Sequence, residues 1–171
     1  MTPTAPSITR RLIIMRHAKS AWNTGASSDH ERPLNGRGRR DAPHLGRLIA
    51  ARGFVPQVVV SSDSTRTRET WDGLMESMPP ALEPRFTSML YLSGLAEIRD
   101  EIGGLADEVT SALLLGHNPG FSLAASWLTG NDIELKTAFA AVLETEGARW
   151  SETLKLGRWR LRDLLTPHSR L

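Results

Sequence analysis

The chain has 171 residues, no cysteine and a formal net charge of +2; that length suits one domain burying roughly 70% of its unfolded surface. Disulfides, thiolate nucleophiles and cysteine zinc sites are excluded, and with 21 Lys and Arg against 19 Asp and Glu and one tyrosine there is neither the basic stripe nor the stacking platform of a nucleic-acid binder. No apolar run reaches the roughly 18 residues of a membrane span, and "MTPTAPSITRR" lacks a signal-peptide core, so a cytoplasmic protein without membrane association is expected.

Residues 1–10 read as a loose Pro/Ser/Thr leader ahead of a single domain, 11–171. Leu12–Met15 is a short apolar run, β-branched in its middle, and predicts a buried strand. A polar segment without period follows from Arg16 to Arg39; a loop that long in a compact domain is usually functional. Leu45, Leu48 and Ile49 predict a helix over His44–Arg52, stopped by Gly53, with Pro43 either in its first turn or kinking an earlier start. "PQVVVSS" (56–62) predicts a second strand, and Trp71, Leu74, Met75 and Met78 share a helical face over 64–78.

Arg85–Thr87 predicts a short strand, 94–105 an amphipathic helix, and "SALLLG" (111–116) a third buried strand. A helix from Pro119 to Leu128 is closed by Gly130, and weak alternation over 137–144 and 159–165 predicts antiparallel edge strands, with a turn in 146–149. The order predicts an α/β fold: three layers, α/β/α, with a mostly parallel central sheet and an antiparallel edge near the C-terminus.

In open α/β sheets ligands bind beyond the carboxyl ends of the strands. The residues released there are Arg16 and His17 after the first strand, Ser61, Ser62, Asp63, Arg66 and Arg68 after the second, and His117 and Asn118 after "SALLLG". Arginine forks match phosphate oxygens bidentately. A histidine among arginines is kept neutral and nucleophilic, and a neutral imidazole can take a phosphoryl group covalently. Its protonation in acid would block attack, so kcat/KM should fall as pH drops through the His17 pKa, at a pH above 4.

A metal site is disfavoured, because Asp63 is the one carboxylate among these residues and no HxxxH or HExxH spacing occurs. No G-x-S-x-G elbow and no P-loop occur either. No metal or cofactor is expected.

"RHAKSAWN" (16–23), "SDSTRTRET" (62–70) and "GHNPG" (116–120) together resemble the histidine phosphatase, or phosphoglycerate mutase-like, superfamily. The resemblance implies that fold, with His17 as the phosphorylated nucleophile. Arg16, Arg66 and His117 would complete the phosphate pocket, and Asn23 and Asn118 would bind substrate. The string "DHERPLNGRGRRDA" (29–42) and the small size are most similar to the compact SixA-type branch of phosphohistidine phosphatases, with Arg32-Pro33-Leu34 as scaffold under the pocket.

Two positions depart from the family pattern. Ala18 stands where the family has glycine, which matters if a positive φ is required there. No segment matches the glutamate general acid of larger relatives. Glu97 is nearest by position and is better read as the solvated face of a helix. A missing acid favours a phosphoramidate, whose nitrogen is protonated without the enzyme's help.

The expected activity is therefore metal-independent hydrolysis through phospho-His17, with a phosphohistidine protein as substrate. The alternatives are small phosphomonoesters or, further down, a non-catalytic phosphate-binding module. Lys19 reads as a solvated rim residue, and His30, His44 and His168 as structural or surface residues. The oligomeric state is left open.

Overall fold

The computed structural model describes residues 6–171. One six-stranded sheet runs in the order β3-β2-β4-β1-β5-β6. Its strands are β1 (Thr9–Arg16), β2 (Val58–Ser62), β3 (Pro84–Thr87), β4 (Ser111–Gly116), β5 (Ala140–Glu146) and β6 (Arg160–Leu165). The first four pair in parallel, β5 runs antiparallel to β1, and β6 antiparallel to β5. The helices are α1 (Gly36–Ala51), α2 (Thr65–Met75), α3 (Leu95–Gly103) and α4 (Gly120–Thr129).

Successive strand residues point to opposite faces, so β1 feeds two cores. Ile13 and Met15 pack with Leu45, Leu48, Trp71 and Leu74 of α1 and α2. Leu12 and Ile14 pack with Ile98 and Ile102 of α3 and with Phe121 and Leu128 of α4. The three-layer α/β/α arrangement follows, because both faces of the sheet are apolar and each needs a helical cover.

Several boundaries differ from the sequence reading. The strand expected from Leu12 begins at Thr9, so Thr9 and Arg10 belong to the sheet and not to a leader; residues 1–5 lie outside the described residues. Arg10 is fully buried. Its guanidinium donates to Gly147 O (3.0 Å), Val109 O (2.6 Å), Asp107 O (3.1 Å) and Ala148 O. An internal arginine is tolerable when its donors are satisfied, and four backbone carbonyls that no periodicity announces satisfy this one.

The long loop ends at Asn35, whose Oδ1 accepts from Gly38 N (3.0 Å) and caps α1. Pro43 lies inside α1 rather than at its start. The expected turn over 146–149 is longer: a single 3₁₀ turn at Ser151–Thr153 separates β5 from β6.

Candidate active site

The sheet order explains why three strand ends converge. β4 lies between β2 and β1, and the register sets Arg16 beside Gly116. The residues after β1, β2 and β4 therefore emerge side by side. They form one wall of a cavity of about 320 Å³ that includes Arg16, His17, Arg66, His117, Arg32 and Asp29.

The segment from His17 to Asn35 folds back on itself. Asn35 N donates to Lys19 O (2.9 Å) and Ala21 N to Pro33 O (2.9 Å). Glu69 of α2 accepts from Leu34 N (2.7 Å) and ties the returning limb to the helix. Gly38 is required at the crossing, since a Cβ there would come 2.2 Å from Lys19 O.

His17 is 6% exposed. Its N–H donates to Gly116 O and its carbonyl accepts from Ala138 N, both at 3.0 Å. Its Nδ1 is 2.7 Å from Ala18 O. A carbonyl can only accept, so Nδ1 carries the ring proton and Nε2 holds the lone pair. Arg66 Nε donates to that Nε2 at 3.3 Å.

Burial, with Arg66, Arg16 and Arg32 adding to it, lowers the His17 pKa to about 3, against the opposing pull of Ala18 O. Desolvation is thus a larger cause than the arginines credited from the sequence.

His117 is 2% exposed. Ser62 Oγ accepts from Ser64 N (3.4 Å) and shares a hydrogen bond with His117 Nε2 (2.8 Å). Burial first, and then His17 and Arg66, lower the His117 pKa to about 2. Among the described residues three buried side-chain polar atoms lack a hydrogen-bond partner, and two of them, Arg16 Nε and His117 Nδ1, belong to walls of this cavity. An unmet guanidinium N–H and an unpartnered imidazole nitrogen beside a nucleophilic nitrogen suit an oxyanion such as a phosphoryl group.

Ala18 is buried, and its N–H donates to Thr70 Oγ1 (3.0 Å). Among the described residues, the non-glycine residues with positive φ are Leu92 and Ala138. Ala18 is not among them, so its backbone suits any L residue, and the exchange for the family glycine needs no compensation there.

Arg16, His17, Arg66 and His117 thus come together as expected, but the two asparagines do not behave as expected. Asn23 is exposed and stands outside the cavity wall, because the loop turns outward after Trp22. Asn118 reaches the wall, yet its amide is committed: Nδ2 donates to Leu135 O (2.7 Å) and Oδ1 accepts from Ser122 N (3.2 Å) and Ser122 Oγ (2.8 Å). It holds the start of α4 to the 135 segment. Glu97 Oε2 accepts from Gly94 N (2.9 Å) in the first turn of α3 and is structural.

His30 pairs with Asp63 at 2.8 Å, and His44 Nε2 donates to Ser169 O at 2.9 Å, both outside the cavity wall. Lys19 lines the cavity.

Sequence reasoning missed Asp29 and Tyr91 and undervalued Arg32. Asp29 Oδ2 accepts from Arg66 (3.0 Å) and from Tyr91 Oη (2.6 Å), and its Oδ1 accepts from Arg32 Nε (2.9 Å). Its backbone carbonyl accepts from Arg66 Nη1 (2.7 Å). Tyr91 and the two arginines hold the Asp29 carboxyl well below the usual carboxylate range. The one available signal was the Asp-x-x-Arg spacing in "DHER".

The family profile described as "Histidine phosphatase superfamily (branch 1)" matches residues 12–100. An uncharacterised chloroplast protein of Arabidopsis thaliana is 38% identical over 176 residues, covering 95% of this chain and 80% of its own. A solved structure from Nakamurella multipartitia, provisionally assigned as the phosphohistidine phosphatase SixA, superposes with a TM-score of 0.79 at 27% identity, over 94% of this chain and 98% of its own. The mycobacterial glucosyl-3-phosphoglycerate phosphatase shares the fold, with a TM-score of 0.65 at 19% identity, over 91% of this chain and 98% of its own. Profile, relative and superposition agree with the geometry at the ends of β1, β2 and β4: the chain belongs to the histidine phosphatase superfamily (branch 1) and is a phosphatase enzyme of that family.

Proposed function

We propose that the protein hydrolyses phosphohistidine on a partner protein through a covalent phosphoryl group on His17, without a metal. One observation carries the reading. His17 is a buried neutral imidazole whose Nδ1–H is fixed on Ala18 O and whose Nε2 lone pair meets a guanidinium in the cavity.

Nε2 attacks phosphorus, while Arg16, Arg66 and His117 donate to the phosphoryl oxygens as negative charge builds on them. The product ring carries phosphorus on Nε2 and a proton on Nδ1, so it is an imidazolium stabilised by Ala18 O. That charge weakens the new P–N bond toward water and favours turnover.

Two features support a phosphoramidate over an ester. The cavity wall offers one carboxyl, Asp29, which is held ionised and cannot donate a proton to an ester oxygen. The SixA-type superposition at 27% identity points the same way.

The test compares turnover of a phosphohistidine protein with a panel of metabolite phosphoesters, using His17→Ala as control. The expected outcome is preference for phosphohistidine, an acid-labile phosphoenzyme, insensitivity to EDTA, and a loss in His17→Ala of several orders of magnitude. An active His17→Ala protein refutes the nucleophile. Preference for esters moves the reading to small-molecule phosphomonoesters. Tight vanadate binding without any phosphoenzyme marks a phosphate-binding module.

A further inference from the structure

A carboxylate is an unexpected wall for a phosphate cavity, because it repels the dianion. Asp29 is nevertheless held there by three donors from three segments: Arg32 of its own loop, Arg66 of α2, and Tyr91 beyond β3. Its side chain is 46% exposed at the mouth. An ionised carboxylate has about four acceptor positions, and the three donors leave one free, on Oδ1, in a residue that lines the cavity. The other charged or titratable groups on the wall are the cations Arg16 and Lys19 and the neutral rings of His17 and His117, none of them anionic. Asp29 is thus the one anionic acceptor on this wall that incoming substrate meets.

We propose that Asp29 accepts the distal N–H of a phosphorylated imidazole and keeps that ring in its imidazolium form, which selects phosphoramidates over phosphoesters. The proposal rests on the phosphohistidine reading above. The step balances without an enzyme acid. His17 Nε2 forms the bond to phosphorus, the substrate P–N bond breaks, and its electron pair stays on the departing nitrogen. The departing ring is neutral imidazole that still carries its N–H toward Asp29. An ester oxygen would depart as an alkoxide, with no proton on Asp29 to relieve it.

Water then attacks phospho-His17. The electron pair of that P–N bond returns to Nε2, and the surplus proton leaves on the phosphate. Asp29 does for the substrate ring what Ala18 O does for His17: each accepts from the nitrogen away from phosphorus.

The experiment measures Asp29→Asn and wild type on N-phosphoimidazole and on p-nitrophenyl phosphate. Asparagine can still accept from one arginine, so the loosened anchor of Arg66 lowers both activities. The loss on N-phosphoimidazole should exceed the loss on p-nitrophenyl phosphate by roughly tenfold or more, the scale of a hydrogen bond to a charged group. Wild-type kcat on N-phosphoimidazole should also hold to a pH above the ring's own ionisation in solution, and in Asp29→Asn that alkaline limb should move down to it.

Equal losses on both substrates, with an unmoved limb, overturn the role of Asp29 while leaving the phosphohistidine reading intact. Wild type that turns over esters but not N-phosphoimidazole overturns that reading, and this proposal with it. Should Asp29→Asn fail to fold, the wild-type limb decides alone: if it coincides with the solution ionisation, Asp29 has no such role.

Discussion

Lowering the pH from 7 to 5 should destabilise this protein through its two active-site histidines. An unfolded histidine titrates near 6.5, whereas burial depresses His17 to about 3 and His117 to about 2. Between these limits the unfolded chain binds more protons than the native one, so stability rises with pH. The contribution is complete above the unfolded pKa and is lost as pH falls toward the folded values.

At pH 5 both rings are still neutral in the native state, so the cost is set by the unfolded chain alone. It is about 2 kcal/mol per histidine and about 4 kcal/mol for the pair, at 1.36 kcal/mol per pH unit. That is a large share of the roughly 5–15 kcal/mol that holds a domain folded. Urea unfolding in phosphate-free buffer at both pH values measures it. His17→Gln and His117→Gln should each remove about 2 kcal/mol of the pH dependence, since glutamine does not titrate. Variants that keep the wild-type pH dependence would refute the buried neutral pair.

The same shift changes the acid behaviour expected from an ordinary imidazole. With His17 held near 3, its protonation cannot produce a fall in kcat/KM above pH 4, and any limb seen there belongs to substrate or to another group. Imidazole ¹⁵N shifts should keep His17 in the Nδ1–H tautomer from pH 8 to pH 5; a midpoint near 6.5 would contradict this. Thr70 accepts from Ala18 N and donates to Arg66 O (2.7 Å), so Thr70→Val should cost about 1–3 kcal/mol by stranding buried partners. It should also lower kcat more than it raises KM, because Ala18 O and Arg66 then shift against His17. A wild-type kcat would show that this link does not position the nucleophile.

Much of the site was legible because strand periodicity and strand-end chemistry are local. "LIIM" ending in Arg-His, and "ALLLG" ending in His-Asn, fix two buried strands and the groups they release. Adjacency of β1, β4 and β2 comes from the sheet order, which puts β4 between the other two; the motif resemblance pointed to the same four residues. What failed was also informative: Asn23 and Asn118 are polar residues at the right sequence positions, but nothing local says that one side chain faces outward and the other is committed to Leu135 and Ser122.

The layers, the parallel core and the release of Arg16, His17, Arg66 and His117 at strand ends are written in the chain, since they depend on apolar period and on which residues follow each run. How those groups are tuned depends on contacts between segments distant in sequence. Asp29, Arg66 and Tyr91 are far apart in the chain, and loop folding joins them in one hydrogen-bonded cluster. Arg10 likewise reads as a leader residue until the carbonyls of 107, 109, 147 and 148 surround it. Desolvation, the largest cause of the depressed pKa of His17, depends on everything packed around the ring, including segments far away in sequence.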